Sequence, residues 1–397
     1  MSSQTQAHHH LQKLNLLTQT GADTDMGRLL RQFWHPIALA KDLDAGQAMP
    51  VRILNEELTL YRGDSGRPYL VGGRCRHRQT VLHTGWVQGE RIRCMYHGWQ
   101  FAGDGRCTER PAEQETTPPA IANIAAHAVH EYGGLIFAWL GEGEAPEFNL
   151  PRKDCLEKDG VIVVATKESW RINWFQQIEN SLDATHVSFV HQTLRVASFG
   201  EMVTNAIPEL SYSETEAGIE QTARRGPGNV RKSNWTFPNN NHVVVPGLAK
   251  DDPWIDFVIW MVPADDEHST RFTLYAFKPE NDEQKQRFLG QFEKYGQYNA
   301  DDHYDELFHH RRGPVEGDVI GLISAQDYLA QRGQGIIADR SLELLGRSDL
   351  GIMTLRRIFW REMQALRDKQ PIKAWRKREL PLELPTQPGK QEATLAE

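Results

Sequence analysis

The stretch CRHRQTVLHTGWVQGERIRCMYH at residues 75–97 decides how this chain is read. It holds two pairs, Cys75-Arg76-His77 and Cys94-Met95-Tyr96-His97, with sixteen residues between His77 and Cys94. Two cysteines and two histidines suit two kinds of metal shell. In one, the thiolates hold one iron of a two-iron, two-sulfide cluster and the imidazoles hold the other. In the second, all four surround a structural zinc. Zinc modules usually pair cysteine with cysteine across a two-residue gap, whereas each pair here mixes the residue types as C-x-H and C-x-x-H. The cluster reading is therefore preferred, with Cys75 and Cys94 on one iron and His77 and His97 on the other. Neutral imidazoles in place of thiolates raise the potential of such a cluster, so it accepts electrons readily and passes them on.

An electron carrier needs a destination, and a second set of metal-binding residue types follows. The segment NWFQQIENSLDATHVSFVH at 173–191 carries Asn180, Asp183, His186 and His191. Trp170, Trp174, Ile178 and Leu182 recur every four residues and predict a helix with one buried stripe. On it Asp183 and His186 share a face, while His186 and His191 would diverge by about 140° at roughly 100° per residue. Two histidines on one metal therefore require the helix to bend or end, with the distortion expected around Ser188 to Val190. Two histidines plus a carboxylate, with open positions, form the facial triad of non-haem ferrous oxygenases. Histidines on a buried helix are more often hydrogen-bonded core residues, and it is the upstream box that favours a metal.

With both constellations in view, the chain resembles the oxygenase (alpha) subunit of Rieske non-haem iron aromatic-ring-hydroxylating oxygenases, in particular the phthalate dioxygenase-like branch. The likeness spans roughly residues 26 to 360. It includes MGRLLRQFWHPIALAKDL, the box at 75–107, ERPAEQ, the 173–191 segment and AQDYLAQRGQGIIADRSLELLGRSDLGI. The resemblance implies an α+β fold: an N-terminal all-β Rieske [2Fe-2S] domain, then a catalytic domain with an antiparallel sheet packed by helices, helix-grip or START-like. It aligns Asp327 as the third ligand of a mononuclear non-haem Fe(II) beside His186 and His191. Asp318 and Asp339 are rivals in sequence reach, and each of the three also reads as an ordinary solvated or capping aspartate. Asp183 is implied to bridge His186 to His97 of a neighbouring subunit, in keeping with the outer partner that metal-bound histidines require. Asn180 precedes Asp183 by three residues, where naphthalene-type relatives place an asparagine four before. Arg76 stands where many relatives carry proline, which frees the loop from proline's fixed backbone angle. Gly98 and Trp99 are expected to shield the cluster, although plain packing suits the tryptophan equally.

The resemblance further implies a terminal oxygenase that takes NADH-derived electrons from a separate NAD(P)H-dependent reductase, with or without a ferredoxin. With O2 it would hydroxylate a small aromatic, carboxylated or not; O- or N-demethylation by a Rieske monooxygenase is the alternative. The chain itself shows no G-x-G-x-x-G dinucleotide loop and no plant-type ferredoxin cysteine set. A trimer or stacked-trimer hexamer would supply the cross-subunit path. A non-catalytic Rieske electron-transfer protein needs only the first domain, and a degenerate homologue would have lost the downstream ligands.

Composition agrees. A chain of 397 residues suggests two domains, and 39% hydrophobic with 25% charged residues is that of an ordinary globular protein. A net charge of −8 argues against nucleic-acid binding. No apolar run is long enough for a bilayer and no signal-peptide core opens the sequence, so the cytoplasm is the expected location. Cys107 and Cys155 are left as free thiols, and His8 to His10 receive no metal. The expected divisions are a segment 1–26, a Rieske domain 27–150, a catalytic domain 151–372 and a polar, disordered tail 373–397. Residues 27–41 read as a short amphipathic segment, VRILNEELTLYR as a hairpin and GLIFAWLG as a closing strand. In the second domain GVIVVATKE opens the sequence of elements, and HVVVP, IDFVIWMV and RFTLYAF are strand candidates with apolar alternation. Residues 282–310 read as a charged helix. Ser348 and Asp349 are expected to cap a last helix bearing Ile352, Leu355, Phe359 and Met363, and Lys373 to Arg378 reads as a solvated helix end.

Overall fold

A computed structural model describes residues 14–113, 117–148, 153–191, 206–226, 229–249, 251–293 and 319–375. Two units emerge: Thr20–Asn149 with Val262–Asp265, and Met1–Gln19 with Leu150–Met261 and Asp266–Glu397. Asp318, His8 to His10, residues 294–310 and the tail from Pro381 lie outside the described residues.

The first unit is built on β-strands. After the helix Asp25–Leu30 come β1 (Trp34–Leu39), β2 (Ala48–Ile53), β3 (Glu56–Arg62), β4 (Pro68–Gly72), β5 (Trp86–Gln88), β6 (Arg91–Arg93), β7 (Gln100–Ala102), β8 (Cys107–Glu109), β9 (Ala126–Tyr132) and β10 (Leu135–Trp139). They form a six-stranded sheet ordered β1-β10-β9-β4-β3-β2 and a four-stranded meander β5-β6-β7-β8. The expected hairpin is β2–β3. Its turn residues Leu54 and Asn55 both take positive φ, 51° and 63°, as a two-residue hairpin turn demands. The segment 27–41 is not amphipathic throughout: all six residues of β1 are buried, because the strand is covered on both faces.

The second unit contains β11 (Ile162–Trp170), β12 (Glu209–Glu214), β13 (Gly218–Arg224), β14 (Val230–Thr236), β15 (Asn240–Val245), β16 (Ile255–Pro263) and β17 (Ser269–Phe277). They make one seven-stranded sheet in the order β11-β17-β16-β15-β14-β13-β12, antiparallel in every pairing described. Strands β12 to β14 escape sequence reading because polar residues outnumber apolar ones in ELSYSE, GIEQTAR and VRKSNWT, although Ile219, Ala223 and Trp235 are buried. Apolar alternation does not hold in β16 and β17, where eight of nine residues in each are buried. The helices are Asp154–Glu157, Trp174–Asn180, Val187–Val190, Asp282–Glu293, Val319–Arg332 and Leu350–Arg367. Leu355, Phe359 and Met363 are buried along the last of these, whereas Ile352 is only half-buried. Asp349 occupies its N-cap but spends its carboxylate on the Gly346 N–H at 2.7 Å, and Ser348 does not cap. Lys373 follows no helix end; its ammonium meets Glu214 at 2.8 Å.

The helix Trp174–Asn180 starts four residues later than its apolar stripe suggests. Trp170 ends β11, and Asn173 begins the helix by accepting the Phe175 N–H at 3.0 Å. The helix is then held by buried polar groups. Asn173 donates to the Thr18 and Asp266 carbonyls, and Gln176 to those of Gln331 and Gly335. Glu179 accepts from Arg340 and from Arg356, each at 2.6 Å. Burial would raise the Glu179 carboxyl, but the two guanidinium groups outweigh it and hold the group below its ordinary 4.5. A carboxylate so lowered stabilises the fold above 4.5, and the contribution is lost as pH falls through the folded-state value. Glu179→Gln should therefore cost about 3–5 kcal/mol at neutral pH, because it strands two buried cations. In urea unfolding the gap to wild type should narrow as the pH drops below 4.5; a gap independent of pH would refute the charge role.

Candidate metal centres

The first centre lies on two loops with the same closure. In each, the cysteine N–H donates to the carbonyl five residues on, Cys75 to Thr80 and Cys94 to Trp99, both at 2.8 Å. In each, the residue four on donates back to the cysteine carbonyl, Gln79 at 2.9 Å and Gly98 at 3.1 Å. That closing residue takes positive φ in both loops, 63° at Gln79 and 74° at Gly98. Glycine adopts this freely, whereas at Gln79 it is a less common conformation, held by the hydrogen bond to Cys75. The shared geometry buries both cysteines as free thiols, over a core that includes Tyr61, Leu82, Ile92 and Phe101. Burial, together with the Cys94 thiol, pushes the Cys75 thiol up.

On the outer side the His77 and His97 rings lie 4.5 Å apart between centroids, His77 exposed and His97 half-buried. Desolvation, His77 and Arg78 all lower His97 from its ordinary 6.5. Trp99 stacks flat on His77 at 4.8 Å and 2°, and the Arg110 guanidinium lies 5.3 Å from the Trp99 ring centroid. Two buried thiols below two paired imidazoles form a donor set that fits a cluster with sulfur ligation inside and nitrogen ligation outside.

The second centre depends on a break in the chain. The helix ends at Asn180, and residues 181–186 turn before the single-turn helix Val187–Val190. The distortion expected around Ser188 to Val190 thus falls earlier, ahead of both histidines, and residues 187–190 between them are helical. Asp183 creates the break: its Oδ1 accepts the N–H groups of Thr185 at 2.9 Å and His186 at 3.2 Å, so it caps the next turn. His186 and His191 then flank that turn at its N-cap and C-cap. Both reach Asp327 on the helix Val319–Arg332: its Oδ1 lies 3.4 Å from His186 Nε2 and 3.3 Å from His191 Nε2. One ligand atom from each of the three falls within 4.8 Å of the others.

The rings are oriented from behind. His186 Nδ1 donates to the Asp183 carbonyl and His191 Nδ1 to Gln326 Oε1 at 2.9 Å, which leaves both Nε2 lone pairs facing the shared point. Burial would raise the Asp327 carboxyl, but the imidazoles beside it hold it far below the usual range. Asn180 Nδ2 approaches Asp327 Oδ1 at 3.4 Å, and Arg271 lies 3.8 Å from its Oδ2. Asp183 keeps its side chain partly exposed, with Oδ2 at 3.8 Å from His186 Nδ1. Asp339 is elsewhere, capping the turn Arg340–Leu342. Gln326, Arg271 and Arg231 were missed by sequence reading, since a lone glutamine or arginine carries no spacing signal.

A pocket adjoins the triad, floored by Val243, Val245, Phe257, Ile259 and Met261, with Gln221, Ser233 and Asn241 at its polar end. Arg231 on β14 also lines it. This arginine is 8% exposed, and burial, with Arg225 adding repulsion, lowers it to about 9. Among the described residues no carboxylate forms an ion pair with it.

Residues 33–128 match the family described as Rieske [2Fe-2S] domain, and residues 138–384 match LigXa C-terminal domain like. The chain is 30% identical over 369 residues to the 5,5'-dehydrodivanillate O-demethylase oxygenase subunit of Sphingobium sp. (strain NBRC 103272 / SYK-6), covering 90% of this chain and 81% of that one. It is 32% identical over 361 residues to the phenoxybenzoate dioxygenase subunit alpha of Ectopseudomonas oleovorans, covering 86% and 82%. Among solved structures, NdmA of Pseudomonas putida CBB5 superposes with a TM-score of 0.66 at 19% identity, over 87% of this chain and 94% of that one, a likeness of fold. The fold and the two centres define a Rieske-type oxygenase. The chain belongs to the oxygenase (alpha) subunits of the Rieske non-haem iron oxygenases, whose cofactors are a Rieske [2Fe-2S] cluster and a mononuclear non-haem iron.

Because Gln326 Oε1 accepts from His191 Nδ1 and so orients that ring, Gln326→Leu should weaken ferrous iron about 10–100-fold and leave the visible spectrum of the cluster intact. Unchanged iron affinity, measured by competition with a chelator, would refute that role.

Proposed function

We propose that this subunit hydroxylates a small aromatic carboxylate, with Cys75, Cys94, His77 and His97 holding the cluster and His186, His191 and Asp327 holding the iron. The carrying observation is Arg231, a buried cation in the pocket beside the triad with no described counter-charge. Leaving a guanidinium desolvated and unpaired is unfavourable, and an anionic group on the substrate removes that penalty. Arginine also matches a carboxylate through two parallel hydrogen bonds, which would fix the direction in which the ring enters. The apolar floor accepts the ring, and Gln221, Ser233 and Asn241 offer bonds to its polar substituents. The named substrates of the two curated relatives, a dehydrodivanillate and a phenoxybenzoate, are themselves aromatic carboxylates.

When bound, the cluster supplies single electrons and the iron supplies the position at which O2 is activated. The protein's own part is placement. The Asp183 carbonyl and Gln326 present the histidine Nε2 atoms, Asp327 supplies the anionic donor, and Arg231 sets the substrate's distance from them. Asp183 keeps a partly exposed carboxylate behind His186, which supports a bridge to His97 of another copy in a homotrimer or hexamer. Electrons would come from a separate NAD(P)H-dependent reductase, with or without a ferredoxin, in the cytoplasm. Among the described residues no helix is long and apolar enough to cross a membrane. The first relative's name keeps O-demethylation open as the second reading, and the same pocket serves both.

A single turnover of reduced protein with labelled dioxygen separates the two. Two labelled atoms in an aromatic acid mark a dioxygenase, and one atom with formaldehyde release marks a demethylase. Neither product from any aromatic acid, with both metals present, would defeat the carboxylate reading. Arg231→Met should raise KM for the acid by about 10–100-fold, the loss of a charge-assisted bond, while an uncharged ester analogue is unaffected. Asp183→Asn should retain both metals and lose coupled turnover; normal turnover would refute the bridge.

A further inference from the structure

A second group of donors lies in the same unit as the triad, on the opposite face of the sheet. The pocket is lined by Asn241, Val243 and Val245 of β15 and by Phe257, Ile259 and Met261 of β16. His242 and Asp256 have the opposite parity on those strands and so project from the other face. There they meet Cys155 of the short helix Asp154–Glu157. His242 Nε2 lies 2.6 Å from Asp256 Oδ1 and 3.8 Å from Cys155 Sγ, and one ligand atom from each residue falls within 4.8 Å of the others. His242 is 3% exposed and its Nδ1 has no hydrogen-bond partner.

We propose that Cys155, His242 and Asp256 form a site for a thiophilic divalent cation of the zinc class, independent of the oxygenase chemistry. The donor types decide the class. One sulfur, one imidazole nitrogen and one carboxylate oxygen suit zinc, whereas magnesium and calcium prefer oxygen alone. The Nε2–H···Oδ1 contact has to open from 2.6 Å to about 3.4 Å to seat an ion with bonds of about 2.0–2.2 Å, and water completes the tetrahedron. Protons balance. The thiol releases its proton to solvent as the thiolate binds, and the imidazole proton moves from Nε2 to Nδ1, where no existing bond opposes it. In the ion-free cluster Asp256 is met instead by the His242 N–H and by nearby Lys153, a buried cation with which the metal competes. Bound zinc would staple the chain just before β11 to the centre of the sheet.

The test uses holoenzyme with iron and cluster at full occupancy. Wild type should take up one zinc with a single sulfur neighbour in zinc X-ray absorption, a signature the sulfur-free triad cannot give. Zinc should also slow alkylation of Cys155, located by peptide mass mapping, at least about tenfold, and Cys155→Ser should bind zinc about 100-fold more weakly. An alkylation rate unchanged by excess zinc, or zinc affinity unchanged in Cys155→Ser, overturns the site. If Cys155→Ser fails to fold, the wild-type alkylation rate decides alone.

Discussion

Glu179, buried between Arg340 and Arg356, is the contact on which the catalytic unit depends. The helix that carries it is only seven residues long, too short to be stable by its own hydrogen bonds, and the chain unwinds directly after it. What holds it is a ring of polar partners drawn from distant segments. Arg356 comes from the last helix, Arg340 from the loop after the helix bearing Asp327, and Ser269 Oγ, at 2.7 Å from Gln177, from β17. Burying such charges gives less net stability than an apolar core would, because desolvation offsets much of the Coulomb attraction. It gives one arrangement of three segments, since a guanidinium satisfied in one place is unsatisfied in any other. The positions of Asn180, Asp183 and His186 follow from that arrangement.

The two metal centres solve the same problem at different ranges. In the first, four donors sit on two short loops, each closed by its own backbone hydrogen bonds, so that most of the geometry is local. In the second, a helix break brings two histidines to the flanks of one turn, and the third donor arrives from a helix far along the chain. Asp183 links the levels: its side chain makes the turn and its carbonyl orients the His186 ring. The Arg271 guanidinium near Asp327 Oδ2 and the Asn180 amide near Oδ1 show how crowded that carboxylate is. Such crowding leaves it little rotational freedom.

Reading by residue type and spacing succeeded wherever the signal was local. The cysteine and histidine pairs of the box and the β2–β3 hairpin were visible in this way, whereas the break falls after Asn180, ahead of both histidines and not between them. It misjudged Trp170, because a four-residue recurrence continues across the junction of a strand and a helix while every member is buried. It missed β12 to β14, in which the few buried apolar residues, Ile219, Ala223 and Trp235 among them, are outnumbered by polar ones.

The sequence by itself determined the family, the candidate ligand types and their grouping into two candidate centres, because each depends on chemistry written into short segments. Only the tertiary structure brought Asp327 to the histidines while setting Asp339 to cap a turn, since both are aspartates in similar local surroundings. Only it showed that Gln326 orients His191 and that Arg231 faces the pocket without a described counter-ion. The reason is physical. A side chain's charge is fixed by its covalent structure, whereas its desolvation and its partners are set by chain segments that meet only when the sheet and helices close.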